Sequence, residues 1–261
     1  PTEAIDYPDA NFLLVSDAVS ALQKLVAAHR ARFKIPVIGI TGSNGKTIVK
    51  EWLFQLLQPD YRIVRSPKSY NSQIGVPLSV WQLKPHHQLA IFEAGISQPD
   101  EMERLEKVIQ PTLGVLTNIG TAHSEGFVSL AEKENEKRKL FRSAPLAPAL
   151  QLNQVTIQNG FATLEATGSL LQEGGSITIP FTDQASIQNA LRCWEVLLAL
   201  GILFVFFNAL HAQKKWHQQK NSEFGDYIKV DGTPGSEMRE SSGVFLDFNN
   251  DGLKDFVTPT Y

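Results

Sequence analysis

A glycine-rich turn followed by a lysine and a hydroxyl residue stands out as a segment that could bind phosphate. It reads Thr41-Gly-Ser-Asn-Gly-Lys46-Thr47 and comes directly after the apolar run Val37–Ile40. Backbone N–H groups of such a turn and the start of the following helix attract an anion, Lys46 adds a positive charge, and Thr47 offers an oxygen to Mg²⁺. The common nucleotide-binding pattern has glycine at position 40, where this chain has Ile40, so the loop is of a shorter type. The predicted nucleotide-binding residues here are Thr41, Gly42, Ser43, Asn44, Gly45, Lys46 and Thr47.

Two side chains of the kind that bind metals follow other apolar runs. Glu93 ends the run Leu89–Phe92, and His123 comes shortly after Leu113–Thr117. The carboxyl ends of parallel strands meet at one sheet edge, so we expect both side chains beside the phosphate loop. A carboxylate suits Mg²⁺ well, whereas an imidazole is an unusual ligand for so hard a cation. Taken alone, Glu93 also fits a cap or an ion pair, and His123 an ordinary loop histidine.

Short apolar runs alternate with segments of helical spacing through the first two hundred residues. The predicted strands are Phe12–Val15, Val37–Ile40, Arg62–Val64, Leu89–Phe92 and Leu113–Thr117. Nearly continuous apolar runs are typical of buried parallel strands, and helices between them predict an α/β fold, a mainly parallel sheet with helices on both faces. Ser16 is the predicted cap of the first helix. Polar β stretches broken by Asn-Gly and Gly-Gly predict an antiparallel flap over residues 149–181, followed by a helix over 186–200 that Asp183 caps.

Composition excludes several classes of protein. The chain has 261 residues, of which 43% are apolar and 20% charged, with a net charge of −3. These values exclude collagen-like, coiled-coil and wholly disordered chains, and they give no electrostatic reason to expect a nucleic acid partner. Cys193 is the single cysteine, which excludes an internal disulfide and favours a reducing compartment such as the cytoplasm. We expect Cys193 to be a small buried helix residue rather than a reactive thiol.

The sequence changes character near Gly201. The run Val196–Leu210 is about fifteen residues long, which is shorter than the roughly twenty that a membrane helix needs, so no membrane span is expected. It ends in Ala-Leu-His-Ala-Gln, which resembles the end of an exported protein's leader. Beyond it, oxygen-bearing residues spaced two apart from Asp247 to Asp255 surround a glycine, as in a calcium loop, but Thr258 stands where an EF-hand has Glu. The segment resembles a single FG-GAP-type repeat with Ca²⁺ as its ligand, although a turn rich in Asn, Asp and Gly is the plain alternative.

The phosphate loop and several later segments resemble the Mur ligase family, the ATP-dependent amino-acid and peptide ligases of peptidoglycan synthesis. The segment from Ser69 to Leu78 resembles the asparagine-rich motif of the type that adds D-alanyl-D-alanine, in the version found fused to alanine racemase in some bacteria. Further segments agree in order and spacing: Phe92-Glu-Ala-Gly95, Thr117-Asn-Ile-Gly-Thr-Ala-His123, Glu136-Lys-Arg-Lys-Leu-Phe141 and Ala185-Ser-Ile-Gln-Asn189-Ala. The resemblance covers residues 10–202, and no single motif carries it alone.

The resemblance implies roles for individual residues. It implies ATP and Mg²⁺ as cofactors, with Thr47, Glu93, His123 and Lys137 around the metal, Lys46, His123 and Lys137 as catalytic residues, Asn189 at the adenine, and Asn71 and Ser72 on the substrate side. In many members a lysine at the position of Lys137 carries a carbamate, which would turn a cation into a metal-binding anion. Without the family, the run Glu132–Lys139 is a solvated helix face. The family usually pairs two asparagines at the adenine, and the first of them is Ser186 here.

The resemblance also implies an organisation and a reaction. Residues 1–17 would be the remnant of an amino-terminal UDP-substrate domain, 18–202 the ATP-binding central domain, and 203–261 an unrelated tail, so we expect an incomplete fragment. The implied partners are a UDP-muramoyl peptide and D-alanyl-D-alanine, and we expect a monomer. Two alternatives stay open: a folylpolyglutamate synthase-like ligase with the same fold, and a secreted calcium-stabilised binding module defined by the tail.

Overall fold

The structure is a computed structural model that describes residues 14–120 and 126–201 and two short strands, 244–246 and 255–257. The chain divides into two compact units, residues 1–214 and 215–261. The helices of the first unit are α1 (Ala18–Arg30), α2 (Lys46–Leu57), α3 (Gly75–Trp81), α4 (Glu101–Ile109), α5 (Leu130–Arg138) and α6 (Gln184–Ala199), and a short 3₁₀ turn spans Lys139–Phe141.

A four-stranded parallel sheet forms the centre of the first unit. Its strands are β1 (Val37–Thr41), β2 (Ile63–Arg65), β3 (Leu89–Glu93) and β4 (Leu113–Leu116), in the order β2-β3-β1-β4. The registers pair Ile40 with Glu93 and Thr41 with Leu116. The carboxyl ends of β1, β3 and β4 therefore meet at one edge, which confirms the predicted parallel sheet.

Helices cover both faces of this sheet, as predicted. Alternate strand residues face opposite sides, so Ala90 and Phe92 pack with α1, α3 and α4, whereas Leu89 and Ile91 pack with α2 and α6. Burial on both faces explains why the strands are almost wholly apolar in sequence. Cys193 lies in the second of these cores, buried on α6, as expected of a structural cysteine.

An antiparallel sheet follows the parallel one, where the flap was predicted. It contains β5 (Gln151–Gln158), β6 (Phe161–Gly168) and β7 (Leu171–Ile179), paired in chain order. Helix α6 packs on it through Ile187 and Ala190, and the rings of Trp52 and Phe181 stack 5.1 Å apart. Because α6 also packs on the parallel sheet, it joins the two sheets and fixes where its first turns lie.

Two details near the start of the described chain differ from the prediction. Leu14 and Val15, the described part of the predicted strand Phe12–Val15, are exposed and lie outside any strand. The cap of α1 is Asp17 rather than Ser16, since the Asp17 carboxylate accepts from the N–H groups of Val19 and Ser20. Asp17 lies one residue nearer to the helix than Ser16, so its carboxylate reaches two first-turn amides that have no partner within the helix.

The second unit contributes an antiparallel pair, β8 (Val244–Leu246) and β9 (Asp255–Val257). Residues 247–254 and Thr258 of the predicted calcium loop lie outside the described residues, and Asp255 begins β9. The apolar run predicted over 196–210 is described only as far as Gly201. Across the described part of the chain, no helix is both long and apolar enough to cross a membrane.

Candidate functional site

The glycine-rich turn lies between β1 and α2, at the carboxyl edge of the parallel sheet. Gly45 precedes the first residue of α2 with φ 84°, a left-handed conformation that favours glycine. A Cβ at this position would lie 2.4 Å from Oδ1 of Asn189, so the absence of a side chain also lets α6 approach the turn. The N–H groups of Lys46, Thr47 and Ile48 precede the first hydrogen bond of α2, which Val49 donates to Gly45. The helix start therefore presents donors to an anion.

The turn is anchored to the segment that follows β4. Ser43 N–H donates to the Asn118 carbonyl at 2.7 Å, and Asn44 N–H donates to Asn118 Oδ1 at 2.8 Å. The Thr117 hydroxyl donates to the Asn44 carbonyl at 2.6 Å. The amides of Ser43 and Asn44, two of the predicted nucleotide-binding residues, therefore hold the loop in place in this structure. The buried Thr41 hydroxyl donates to the Ala94 carbonyl at 2.8 Å and so ties the end of β1 to the residue after β3.

Three lysines surround this turn. Lys46 Nζ donates to the carbonyls of Gly42 and Ser43 at 2.9 and 3.2 Å, and Lys137 Nζ donates to the same Gly42 carbonyl at 3.1 Å. Lys133, one turn before Lys137 on α5, donates to the Gly120 carbonyl at 2.8 Å. The lysines of α5 are almost fully buried, with 1% and 3% exposure for Lys133 and Lys137. Three lysine side chains around one loop form a site that suits a polyanion.

Burial and mutual repulsion shift the titration of these lysines. Burial, together with the charges of Lys46 and Lys133, lowers the pKa of Lys137 to about 8. Burial also lowers the pKa of Lys46, against the opposing effect of the Glu93 carboxylate. Burial lowers the pKa of Lys133 as well. Lys137 is therefore the lysine of this cluster that loses its proton most readily near neutral pH.

Glu93 lies at the end of β3 and faces the start of α2. Its carboxylate is fully buried, and the Thr47 hydroxyl donates to Oε2 at 3.0 Å. Lys50 Nζ forms an ion pair with Oε1 at 2.9 Å. Buried charges need such partners, and here both come from one helix face.

The oxygens of Thr47 and Glu93 fit a divalent cation bound together with phosphates. Mg²⁺ is commonly held by one or two carboxylates plus phosphate oxygens, so a complete protein cage is not required. Within the described ranges no group of three or more His, Cys, Asp or Glu side chains could hold a metal by itself. His123, the other predicted ligand, lies outside the described residues.

A cavity of about 350 Å³ opens beside the turn. Lys46 and Lys137 line one side of it, and Asn71, Ser72 and Gln73 line another. The Asn71 carbonyl accepts from Gly95 N–H at 2.7 Å, and Ser72 Oγ accepts from Gly75 N–H at 3.1 Å. The residues predicted on the substrate side therefore share one cavity with the phosphate-loop lysine, and Ser72 also hydrogen-bonds the first residue of α3.

Asn189 reaches the site from α6. Asp183 caps this helix, since its carboxylate accepts from the Ser186 N–H at 2.9 Å, as predicted. Asn189 lies two turns later and is 8% exposed, with its side-chain amide against Gly45. The structure thus brings Asn189 to the phosphate loop, together with Lys46, Thr47, Glu93 and Lys137.

Sequence reasoning missed three residues that build this site: Lys50, Asn118 and Lys133. Both lysines lie four residues from a predicted site residue, Lys50 after Lys46 and Lys133 before Lys137. Side chains four apart share a helix face, so this spacing was an available signal. Asn118 stands inside the Thr117–His123 motif, but its contact with Asn44 could not be predicted, because it depends on how β1 and β4 pair.

Comparison with known proteins adds independent observations. The profile of the Mur ligase middle domain matches residues 40–191. A UDP-N-acetylmuramoyl-tripeptide–D-alanyl-D-alanine ligase from Bacillus subtilis is 36% identical over 220 residues, which cover 84% of this chain and 40% of that protein. The ligase of the same name from Borreliella burgdorferi is 36% identical over 143 residues, covering 53% and 31% of the two chains.

Solved structures agree with the sequence relatives. The crystal structure of MurF from Acinetobacter baumannii is 25% identical, with a TM-score of 0.65 over 74% of this chain and 49% of that chain. This chain spans between about a quarter and two fifths of the length of the first curated relatives it matches. The profile match over residues 40–191 contains every described residue of the candidate site, from Thr41 to Asn189.

Proposed function

The chain belongs to the Mur ligase family, and on that premise we propose that it is the ATP-binding core of a ligase that adds D-alanyl-D-alanine to a UDP-muramoyl tripeptide. The convergence of Lys46, Thr47, Glu93 and Lys137 at the start of α2 carries this proposal. The relatives described above bear the name of that reaction. We place the reaction in the cytoplasm, where ATP is available, and expect a monomer.

The proposed reaction joins a carboxylate to an amine. The carboxylate of the tripeptide takes the γ-phosphoryl group of ATP to give an acyl phosphate and ADP. The amine of D-alanyl-D-alanine then attacks the acyl carbon, phosphate leaves, and the amine loses a proton. The main requirement of phosphoryl transfer is stabilisation of charge on the moving group, and Lys46 with the amides of the α2 start would supply it.

Mg²⁺ would neutralise charge on the phosphates, and the residues that would hold it are Thr47, Glu93 and His123. Lys137 would join them as a carbamate. With a pKa of about 8, roughly a quarter of Lys137 is the neutral amine at pH 7.5, whereas an ordinary lysine is almost fully protonated. The neutral amine attacks CO₂ to form an N–C bond and releases one proton, and Lys46 and Lys133 would stabilise the resulting anion.

Binding of the other ligands is assigned by position. Asn189 would contact the adenine through its side-chain amide, which both donates and accepts hydrogen bonds. Asn71 and Ser72 would contact the UDP-muramoyl peptide in the cavity that they share with Lys46. We rank the UDP-muramoyl peptide above the folate substrate of a folylpolyglutamate synthase. The relatives that share 36% identity are D-alanyl-D-alanine ligases. The tail and any Ca²⁺ it binds would have no part in the reaction.

A domain exchange tests the proposed substrate pair. Residues 40–191 replace the matching segment of the Bacillus subtilis ligase, and product formation is followed with UDP-muramoyl tripeptide, D-alanyl-D-alanine and ATP. We expect the pentapeptide product from the chimera and none from its Lys46→Ala variant. A folded chimera that binds ATP but forms no pentapeptide would contradict the proposed substrates.

A further inference from the structure

Lys50 is a buried cation that the proposed reaction does not use. It lies on α2, one turn after Lys46, and its side chain has 0% exposure. Its ammonium contacts Glu93 Oε1 at 2.9 Å and the Ser66 carbonyl at 2.9 Å, and it also donates to the Lys68 carbonyl. Lys50 also forms an ion pair with Glu51 Oε1 at 3.1 Å, and the Glu51 side chain is 30% exposed. Lys50 therefore ties α2 to the ends of β2 and β3.

The Glu93 carboxylate is held at both oxygens from the same helix. Thr47 and Lys50 are three residues apart, so both side chains lie on one face of α2. Thr47 donates a hydrogen bond to Oε2, and Lys50 forms an ion pair with Oε1. Among the described residues Oε1 accepts no hydrogen bond, so the Lys50 charge is its main partner. The Glu93 backbone is held as well, since its N–H donates to Ser66 Oγ at 3.1 Å. This arrangement keeps Oε2 beside the Thr47 hydroxyl.

Lys46 lies one turn before Lys50 on the same face of α2, so it is the neighbouring cation on that helix. Without Lys50, the fully buried Glu93 carboxylate would lack this counter-ion, and because an uncompensated buried charge is strongly destabilising, pairing with Lys46 would be favoured. An ion pair between Glu93 and Lys46 would remove both groups from the positions that a metal and a phosphate require.

We propose that Lys50 is a positioning residue that fixes Glu93 for the metal by occupying Oε1 and leaving Oε2 beside Thr47. The inference rests on the proposed function, because it assigns Glu93 to Mg²⁺. Residues that orient metal ligands typically contribute about 10 to 100-fold to metal affinity. A residue that merely competed with the metal for Glu93 would have the opposite effect, since its removal would tighten metal binding.

The test measures ADP binding to the 261-residue chain by calorimetry, once with Mg²⁺ and once with EDTA. The readout is the dissociation constant in EDTA divided by that in Mg²⁺, which measures how much the metal strengthens ADP binding. A general loss of structure would weaken both values alike and leave this ratio unchanged. We expect Lys50→Met to lower this ratio about tenfold or more. Glu51→Gln is the matched control, because Glu51 contacts Lys50 but not Glu93, and its ratio should stay within about twofold of wild type.

The outcomes separate this inference from the function on which it rests. If Mg²⁺ does not change ADP binding by the wild-type chain, both the proposed function and the positioning role of Lys50 are overturned. A wild-type chain that responds to Mg²⁺, with a Lys50→Met variant that responds equally or more strongly, would overturn the positioning role alone.

If Lys50→Met does not fold, a second comparison tests whether Lys50 acts through Glu93. Pairing Lys50→Met with Glu93→Gln removes both buried charges, so no carboxylate is left without a counter-ion. Because Lys50 is inferred to act only through Glu93, this double variant and Glu93→Gln should give the same ratio within about twofold. A clear further loss in the double variant would show that Lys50 affects metal binding without Glu93, and would overturn the inference.

Discussion

Replacing Lys137 with methionine should stabilise the fold at neutral pH. The pKa of Lys137 falls from an ordinary 10.5 to about 8, so holding the ammonium in the folded chain costs about 3 kcal/mol at pH 7. Methionine has a similar length, is uncharged, and suits a side chain that is 3% exposed. The lost hydrogen bond to Gly42 offsets about 1 kcal/mol, and Lys46 still donates to that carbonyl. The expected net gain is about 2 kcal/mol in the free energy of unfolding.

The pH dependence of this gain follows from the direction of the shift. A lysine with a lowered pKa in the folded state costs stability below that pKa, and the cost disappears as pH rises toward the ordinary lysine value. The advantage of Lys137→Met should therefore shrink to nearly zero, within about 0.5 kcal/mol, by pH 9.5. Urea unfolding in CO₂-free buffer at pH 7 and pH 9.5 measures both values.

A surface lysine provides the control for this experiment. Lys107 is 67% exposed and pairs with Glu103 one turn away. Such pairs contribute about 0.5 kcal/mol or less, so Lys107→Met should change stability little at either pH. A Lys137→Met variant that is no more stable than wild type at pH 7, or that gains the same stability at both pH values, would contradict a destabilising ammonium at Lys137.

Three further predictions concern Lys137 and the helix starts. Bicarbonate should raise the melting temperature of wild type and give a ¹³C carbamate signal, and neither effect should occur in Lys137→Met; wild type without the signal would contradict the carbamate. Gly45→Ala should destabilise the fold by about 1 to 2 kcal/mol in urea unfolding, because φ is 84° and the added carbon meets Asn189; an unchanged midpoint would contradict this. Asp183→Ala should cost about 1 kcal/mol through the lost cap of α6, with Asp183→Asn as the control that keeps a capping oxygen; equal losses in both would contradict the capping role.

The sheet and its helices were predictable because buried positions are apolar, and this local record of burial can be read directly from the sequence. Strand β3 (Leu89–Glu93) is buried along its whole length, so its residues are apolar up to the final carboxylate. The start of α2 was predictable for a similar reason, since a phosphate loop needs glycine, lysine and threonine at fixed local spacing. Leu14 and Val15 show the limit of this record, because an apolar pair does not form a strand without a neighbour to pair with.

The contacts that complete the site depend on residues far apart in sequence. A lysine within a helix is ordinarily solvated, and nothing adjacent to Lys50 shows that the ends of two strands enclose it. Likewise, the amides of Ser43 and Asn44 are local features of the loop, but their partner Asn118 lies about 75 residues later. Predicting these contacts requires the strand order β2-β3-β1-β4, which the spacing of apolar residues alone does not specify.

The most direct test of the proposed site is calorimetric titration of the chain with ATP in the presence of Mg²⁺. Lys46→Ala is compared with Lys107→Ala, which removes the same charge from an exposed position. We expect wild type and Lys107→Ala to bind ATP equally, EDTA to weaken binding by both, and Lys46→Ala to lose binding. Equal ATP affinity in Lys46→Ala and wild type would contradict the claim that this loop binds the nucleotide.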